Sequence, residues 1–243
     1  MDDQFPPEVA LADVFVRLAD SLREGYDVVD TLDLLVRASV NFTDASSAGI
    51  LLADDDGVLH IAASSSERAR HVEEAQMGAS EGPCFECFHS GEIVEVPDIR
   101  SVRGRWLQFA DIAESYGIQS SHAIPLKLRS TTLGGLGLFS DRPGPMSDRD
   151  AAVGLALAQI ATISIMQYQT IARSGTVATQ LKGALFSRVL IEQAKGVVAQ
   201  QCAVSIDEAF ELLRRHSRQT RTGLRAVADR VVNDGLHISG QPG

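Results

Sequence analysis

SRVLIEQAKGVVAQ, Ser187 to Gln200, reads as one helix around which the carboxyl-terminal part of the chain is organised. Val189, Ile191, Ala194 and Val198 recur at helical spacing, with Arg188, Glu192, Gln193 and Lys195 between them, the pattern of an amphipathic face. Ser205 then stands at an N-cap position with Glu208 three residues on, so serine can take one orphan amide while glutamate reaches back to the other. The helix that follows carries Ile206, Ala209, Phe210 and Leu213 on one side. It ends in Arg214, Arg215 and Arg218, where cations suit the helix dipole. After TRTG, a third apolar stripe of Leu224, Val227, Ala228, Val231 and Val232 stops before Gly235. These residues predict an all-α three-helix bundle.

Ala194-Lys195-Gly196, Glu208-Ala209-Phe210, Leu213-Arg214 and Leu224 with Val227-Ala228 resemble, in order and spacing, the ANTAR family, from about Arg188 to Val232. The resemblance implies a three-helix RNA-binding output module of bacterial antitermination regulators, one that binds paired hairpins in leader transcripts. Two positions depart from the family pattern: methionine is frequent where Ala199 stands, and asparagine where Arg221 stands. If the second helix packs back on the first, Arg188, Lys195, Arg214, Arg215, Arg218 and Arg221 line one basic surface as candidate RNA-binding residues. Phosphate contacts would supply affinity there, and looped bases would be read by stacking or edge contacts. Aromatics for stacking are scarce: His216 is the nearest candidate and Phe210 reads as core. Surface arginines that only complement helix ends are the competing reading.

The charge distribution is uneven. Residues 180–243 hold nine Lys and Arg against six acids, a balance of +3, which leaves −13 of the chain's −10 on the remainder. An acidic body with a basic end is compatible with a nucleic-acid-binding output domain, because phosphate affinity rests on local Lys and Arg. A solvated helix face has the same signature. A length of 243 residues and 44% hydrophobic content predict one or two globular domains. MDDQFPPEVA is not a secretory signal, and the longest nearly apolar run, Ala151 to Met166, is broken by Gln159, Thr162 and Ser164. The expectation is a cytoplasmic protein with no membrane partner. Cys84, Cys87 and Cys202 make no disulfide framework.

Upstream, residues 9–23 predict an amphipathic helix whose partner could be a second subunit, and Asp30 caps a second helix ending near Asn41. SAGILLA and VLHIAAS flank the turn Asp54-Asp55-Asp56-Gly57 as a β-hairpin. A helix-prone segment follows from Ser66 to Met77, then a strand EIVEV, a helix over Trp106 to Tyr116 and the strands SHAIPLKL and LGGLGLFS. Hairpins without regular parallel crossovers argue for an α+β antiparallel sheet with helices to one side. Ser147 caps a long helix, and Ile160, Ile163, Gln167, Thr170, Ser174, Val177, Leu181, Ala184, Arg188 and Ile191 trace a heptad-like seam with a polar middle. Ser174-Gly175 marks a joint in that signalling helix.

Gly82-Pro83-Cys84, Gly91, Val94, Val96, Pro97 and Asp98, with the paired strands IPL and LGGLGLF, are similar to the GAF family from about Asp30 to Ile165. The domain plan is then a dimerisation helix over 1–29 and a GAF-like sensor domain over 30–165. A helical linker over 166–186, an ANTAR-like RNA-binding domain over 187–236 and a tail over 237–243 follow. In fold class this is α+β, a GAF-like antiparallel sheet with helices, joined by a long helix to an all-α three-helix ANTAR-like bundle.

A GAF-like cavity would be bounded by Ile50, Leu52, Ile61, Ile124, Leu136 and Leu138 and by the helix near Cys84, residues that are equally core. Nothing in the sequence selects a cofactor or a ligand. Cys84 and Cys87 form C-x-x-C; tetrahedral zinc wants four ligands, and only His71, His89 and His122 could complete a set, so no metal is assigned. If Gly82-Pro83 opens a helix, Cys84 lies in its first turn, where the dipole favours a thiolate and a redox role; burial is the competing reading. Function follows as a signal-responsive, non-enzymatic antitermination regulator, a homodimer that binds hairpins in leader transcripts under control of a small-molecule or partner signal. The alternatives are a redox enzyme resembling free methionine sulfoxide reductases and a DNA-binding regulator.

Overall fold

The computed structural model describes residues 28–54, 56–174 and 180–238, with Ala12, Val14, Val16 and Leu18; side chains are described at those four positions and over 28–54, 56–166 and 189–238. The chain divides into two compact units, Met1–Val177 and Ala178–Gly243.

The first unit runs α1 (Val28–Phe42), β1 (Ser47–Ala53), β2 (Leu59–Ser64), α2 (Glu67–Ala79), α3 (Pro83–Ser90) and β3 (Val94–Val96). A 3-10 turn (Ile99–Val102), α4 (Leu107–Ser115), β4 (Ser120–Leu128), β5 (Thr131–Ser140) and α5 (Asp148–Ser174) complete it. All strand pairs are antiparallel, in the order β2-β1-β5-β4-β3. Asp54 shapes the β1–β2 turn, its Oδ1 accepting from the amides of Asp56 at 3.0 Å and Val58 at 2.9 Å. The predicted helix over 9–23 lies outside the described residues, apart from its four described positions, which are helical, with Val14 and Leu18 buried.

Helices cover both faces of the sheet, where the sequence reading placed them on one. The strand registers put Ile50, Leu136, Leu138, Ile124 and Leu126 on one face, because directly paired residues point the same way. That face meets α1 and α5. Gly154 of α5 lies so near that a Cβ there would be 2.7 Å from Ile124 Cδ1. The opposite face packs Leu51, Ile61 and Ala123 against Cys84 and Cys87 of α3, and a neighbouring cluster joins Trp106, Phe109, Ile118 and Phe139 to Ala69 and Val72 of α2. The physical sign of a two-sided sheet is the lack of alternation in SAGILLA and LGGLGLF, whose residues are apolar at both parities.

The predicted signalling helix consists of α5 and a second helix, α6 (Gln180–Cys202); residues 175–179 and the seam side chains from Gln167 to Arg188 lie outside those described. Among the described residues, one helical segment, Asp148–Met166, is long and apolar enough to cross a membrane by length and composition, with mean hydropathy 1.3; the sequence reading had it fall short. Half of that segment is buried inside the protein, as in a core helix.

In the second unit, α6 is followed by α7 (Ile206–Thr220) and α8 (Leu224–Asn233). The expected capping box is formed: Ser205 Oγ accepts from Glu208 N at 3.2 Å, and the Ser205 amide donates to Glu208 Oε2 at 2.9 Å. Ile191, Ala194 and Val198 of α6 meet Ala209, Leu212 and Leu213 of α7 and Leu224, Val227, Ala228 and Val231 of α8 in the buried interior. Val189 is 57% exposed and Ile206 37%, so both leave the apolar stripe expected of them. Ile238, in the stretch read as a tail, is buried, and its carbonyl accepts from Cys202 Sγ at 3.1 Å.

Candidate nucleic-acid interface

The α7–α8 joint decides which cations face solvent. α7 ends at Arg221, whose φ of 51° is left-handed, and Thr222 N closes the end by donating to Ser217 O at 3.1 Å. Around this joint Arg215, Arg218, Arg221 and Arg225 are exposed, with Arg230 exposed further along α8. Arg215 and Arg218 are one helical turn apart on α7, and Arg225 opens α8 just beyond Arg221, so short sequence distances bring four cations to one end of the bundle. Arg225 was counted in the basic charge of this region but not among the candidate contacts. Its place in the first turn after Gly223 is the signal that could have found it.

Lys195 and Arg214 are placed differently. Both are buried, 2% and 3% exposed, and both address the ring of half-buried Phe210. The Arg214 guanidinium carbon stands 3.7 Å from the ring centroid and Lys195 Nζ 5.0 Å. Lys195 Nζ also donates to both oxygens of Glu192, at 2.9 and 3.1 Å, and Arg214 Nη1 pairs with Glu211. A buried ammonium is tolerated only when its charge is met, and carboxylate plus aromatic face meet it here. The expectation that these two residues lie on an open basic surface is therefore corrected: they hold α6 and α7 together around Phe210. The side chain of Arg188 lies outside the described residues. His216 is half-buried.

Gly196 is exposed on α6, and a Cβ there would meet nothing within 4 Å. A mid-helix glycine costs about 1 kcal/mol relative to alanine, and no packing inside this unit repays it.

The expected pocket in the first unit does not form as one site. Ile50, Leu52, Ile124, Leu136 and Leu138 belong to the face under α1 and α5, whereas Ile61 and Cys84 belong to the other. Strand alternation separates them. On the Cys84 face the space is filled by polar side chains that sequence reasoning missed, Glu73 and Gln76, both fully buried. Gln76 Nε2 donates to Glu73 Oε2 at 2.8 Å, Gln76 Oε1 accepts from Cys84 N at 2.8 Å, and Cys84 Sγ donates to Glu73 Oε1 at 3.4 Å. Glycines make the room: a Cβ at Gly137 would sit 2.6 Å from Glu73 Oε1 and 2.8 Å from Cys84 Sγ.

Cys84 does lie in the first turn of α3, after Pro83, but its thiol is not activated. Burial, then the charges of Glu73 and Cys87, push it well above the ordinary thiol range. Cys87 is pushed up to about 12, first by burial and then by Glu73. The helix dipole loses to desolvation. Both cysteines are free thiols in a packed cluster, which corrects the candidate redox pair. The histidines weighed as zinc ligands are scattered: His71 stacks on Tyr116, and His89 Nδ1 contacts Phe85 O, while His122 pairs across β3 and β4 with Glu95.

The sheet order, the helices on both its faces and the capped three-helix bundle now meet an independent comparison. The description of the GAF domain matches residues 26–166, more than half of the chain, and that of the ANTAR domain matches residues 179–232. The chain belongs to the GAF family and carries an ANTAR domain. No curated protein matches it. Among solved structures, a domain of a two-component sensor histidine kinase protein from Sinorhizobium meliloti is 19% identical with a TM-score of 0.52, covering 63% of this chain and all of that one, 100%. Free methionine-R-sulfoxide reductase from Neisseria meningitidis is 17% identical with a TM-score of 0.51, covering 70% of this chain and 97% of its own. The GAF domain from an Acinetobacter phosphoenolpyruvate-protein phosphotransferase is 18% identical, TM-score 0.50, over 70% of this chain and 98% of its own. At these identities the likeness establishes the GAF fold of the first unit. A GAF unit with an ANTAR unit is the architecture of a sensing regulator.

Proposed function

We propose that this GAF–ANTAR protein is a signal-responsive antitermination regulator that binds hairpins in nascent leader RNA through its second unit. The observation that carries the reading is the exposed set Arg215, Arg218, Arg221 and Arg225 at the α7–α8 joint of an ANTAR bundle. These side chains are free to reach phosphates, and guanidinium planes can stack on looped bases where aromatics are scarce. Gly196 adds a place where a partner's backbone could approach α6 closely. The protein acts in the cytoplasm as a homodimer, with Leu155 and Ile163 on α5 exposed at 39% and 43% as part of the contact.

The test is binding of the full chain to a transcript with two adjacent short hairpins, across salt. An Arg215→Ala/Arg218→Ala/Arg221→Ala variant binds about tenfold or more weakly at low salt, and its slope of log K against log salt falls by about 2 to 3, while its fold is unchanged. Absence of binding to any hairpin RNA, equal competition by duplex DNA, or an unaffected variant overturns the reading. Light scattering that finds a monomer at micromolar concentration overturns the dimer alone. The sulfoxide-reductase alternative requires an accessible nucleophilic thiol, and the burial of Cys84 beside Glu73 weighs against it.

A further inference from the structure

A cavity of about 410 Å³ opens in the first unit where α1 runs into β1 and β5 runs into α5. Three buried polar side chains line it, Ser120, His122 and Asp150. His122 of β4 is 6% exposed, and Asp150, in the first turn of α5, is 3% exposed. Among the described residues the polar partner of His122 is Glu95, whose Oε1 is 3.5 Å from Nδ1; Nε2 has none. Burial holds this imidazole below its usual range, against the pull of Glu95, so near neutral pH one ring nitrogen is an acceptor. Asp150 Oδ2 accepts from Asp44 N at 3.2 Å, and Oδ1 is 3.7 Å from Arg149 Nη1, too far for a hydrogen bond.

The remaining chemistry of the cavity narrows what it can hold. Of its hydroxyls, Ser120 Oγ donates to Arg142 O at 2.8 Å and Ser46 Oγ to Phe139 O at 3.0 Å, while Ser140 and Ser147 accept from the amides of Arg142 and Asp150. Arg68 is engaged by Asp141. A buried carboxylate has about four acceptor positions, so Asp150 retains unused ones. Carboxylates outnumber cations on the wall, Asp44, Asp141 and Asp150 against the exposed Arg142. Asp141 is already paired with Arg68, which leaves Asp150 as the buried charge to be answered, while Leu138, Met146 and Pro145 supply an apolar side. An anion would meet carboxylates; a donor-rich cation with an apolar body would meet complementary groups.

We infer that this cavity is a binding site for a compact organic amine, its ammonium on Asp150 and its apolar body against Leu138, Met146 and Pro145. The site differs from the pocket expected beside Cys84, which is packed with Glu73 and Gln76. Because Asp150 begins α5, an occupant takes hold of the first turn of the helix that leaves the sheet. That the occupant serves as the regulatory signal rests on the function proposed above; its binding does not.

The experiment is calorimetric titration of the full chain with 2-phenylethylamine, beside the matched acid 3-phenylpropionate and the neutral 2-phenylethanol. The amine binds saturably, one per chain, about tenfold or more tighter than either analogue, since a charge-assisted bond is made by it alone. Asp150→Asn keeps an acceptor for the Asp44 amide and weakens the amine by about tenfold. Should that variant fail to fold, the ring-nitrogen resonances of His122 in the unmodified chain answer instead, shifting on titration with the amine. No saturable binding, preference for the acid, an unaffected folded Asp150→Asn variant, or unmoved His122 resonances overturn the proposal. RNA enters none of these measurements, so failure here leaves the antitermination reading standing.

Discussion

Both units bury ionisable side chains, and they do so in opposite ways. Beneath the sheet Glu73 sits in a hollow whose walls come from α2, α3, β1 and β5, with Gly49 and Gly137 leaving room for it. In the bundle Lys195 and Arg214 are each answered by a glutamate one turn away on their own helix and share the Phe210 ring. The first arrangement is assembled from distant segments and walled by backbone, so it has no slack. The second is largely local and made of flexible side chains, which can move when one is changed. Rigidity at a buried charge therefore follows from what encloses it.

Substitutions can break this contrast, starting with the sheet. Gly137→Ala costs about 3 kcal/mol in urea unfolding of the first unit, because the new methyl meets Glu73 and Cys84 with backbone behind them. In a Glu73→Ala background the cost shrinks by about 1 kcal/mol or more, the coupling expected of atoms in contact. Lys195→Ala costs the second unit about 2 kcal/mol, less than a fully buried pair would, since Glu192 keeps one third of its side chain in water. Lys195→Met retains the stem and loses under about 1 kcal/mol. A Lys195→Ala loss as large as that of Gly137→Ala would erase the distinction.

Alkali sharpens it. A folded-state thiol pKa raised to about 12 at Cys87 means that the folded protein keeps a proton the unfolded chain releases. The stability tied to that thiol is complete below an unfolded pKa of about 8.5 and is lost as pH rises toward the folded value. By about pH 9.5 the loss is roughly 1.4 kcal/mol, read as a falling urea midpoint. Cys87→Ala removes that share of the fall, and an identical pH profile in this variant would count against the buried thiol. The smallest effect is Arg221→Asn. Position 221 is left-handed, where asparagine is less strained than arginine, so the variant gains about 0.5–1 kcal/mol in thermal unfolding of the bundle.

The legible parts of the fold were those encoded within a few residues. Ser205 with Glu208, the stripe from Leu224 to Val231 and the turn at Asp54 to Gly57 appear where their spacing placed them, because caps, helical periodicity and turns depend on near neighbours. The basic site was only half legible. Lys195 and Arg218 look alike in a string of residues, yet one faces Phe210 and the other solvent, and only helix packing distinguishes them. Glu73 and Gln76 lay in a stretch read simply as polar helix; two polar residues on its inner face gave no periodic signal.

The sequence by itself determined that a GAF-like sheet precedes an ANTAR-like three-helix bundle, since family motifs and hydrophobic periods are one-dimensional patterns. Tertiary structure alone decided that helices cover both faces of the sheet, that Ile50 and Cys84 lie on opposite sides of it, and that Lys195 and Arg214 are enclosed. Those outcomes depend on strand register and on which helix face meets which neighbour. Both are set by contacts between residues far apart in the chain.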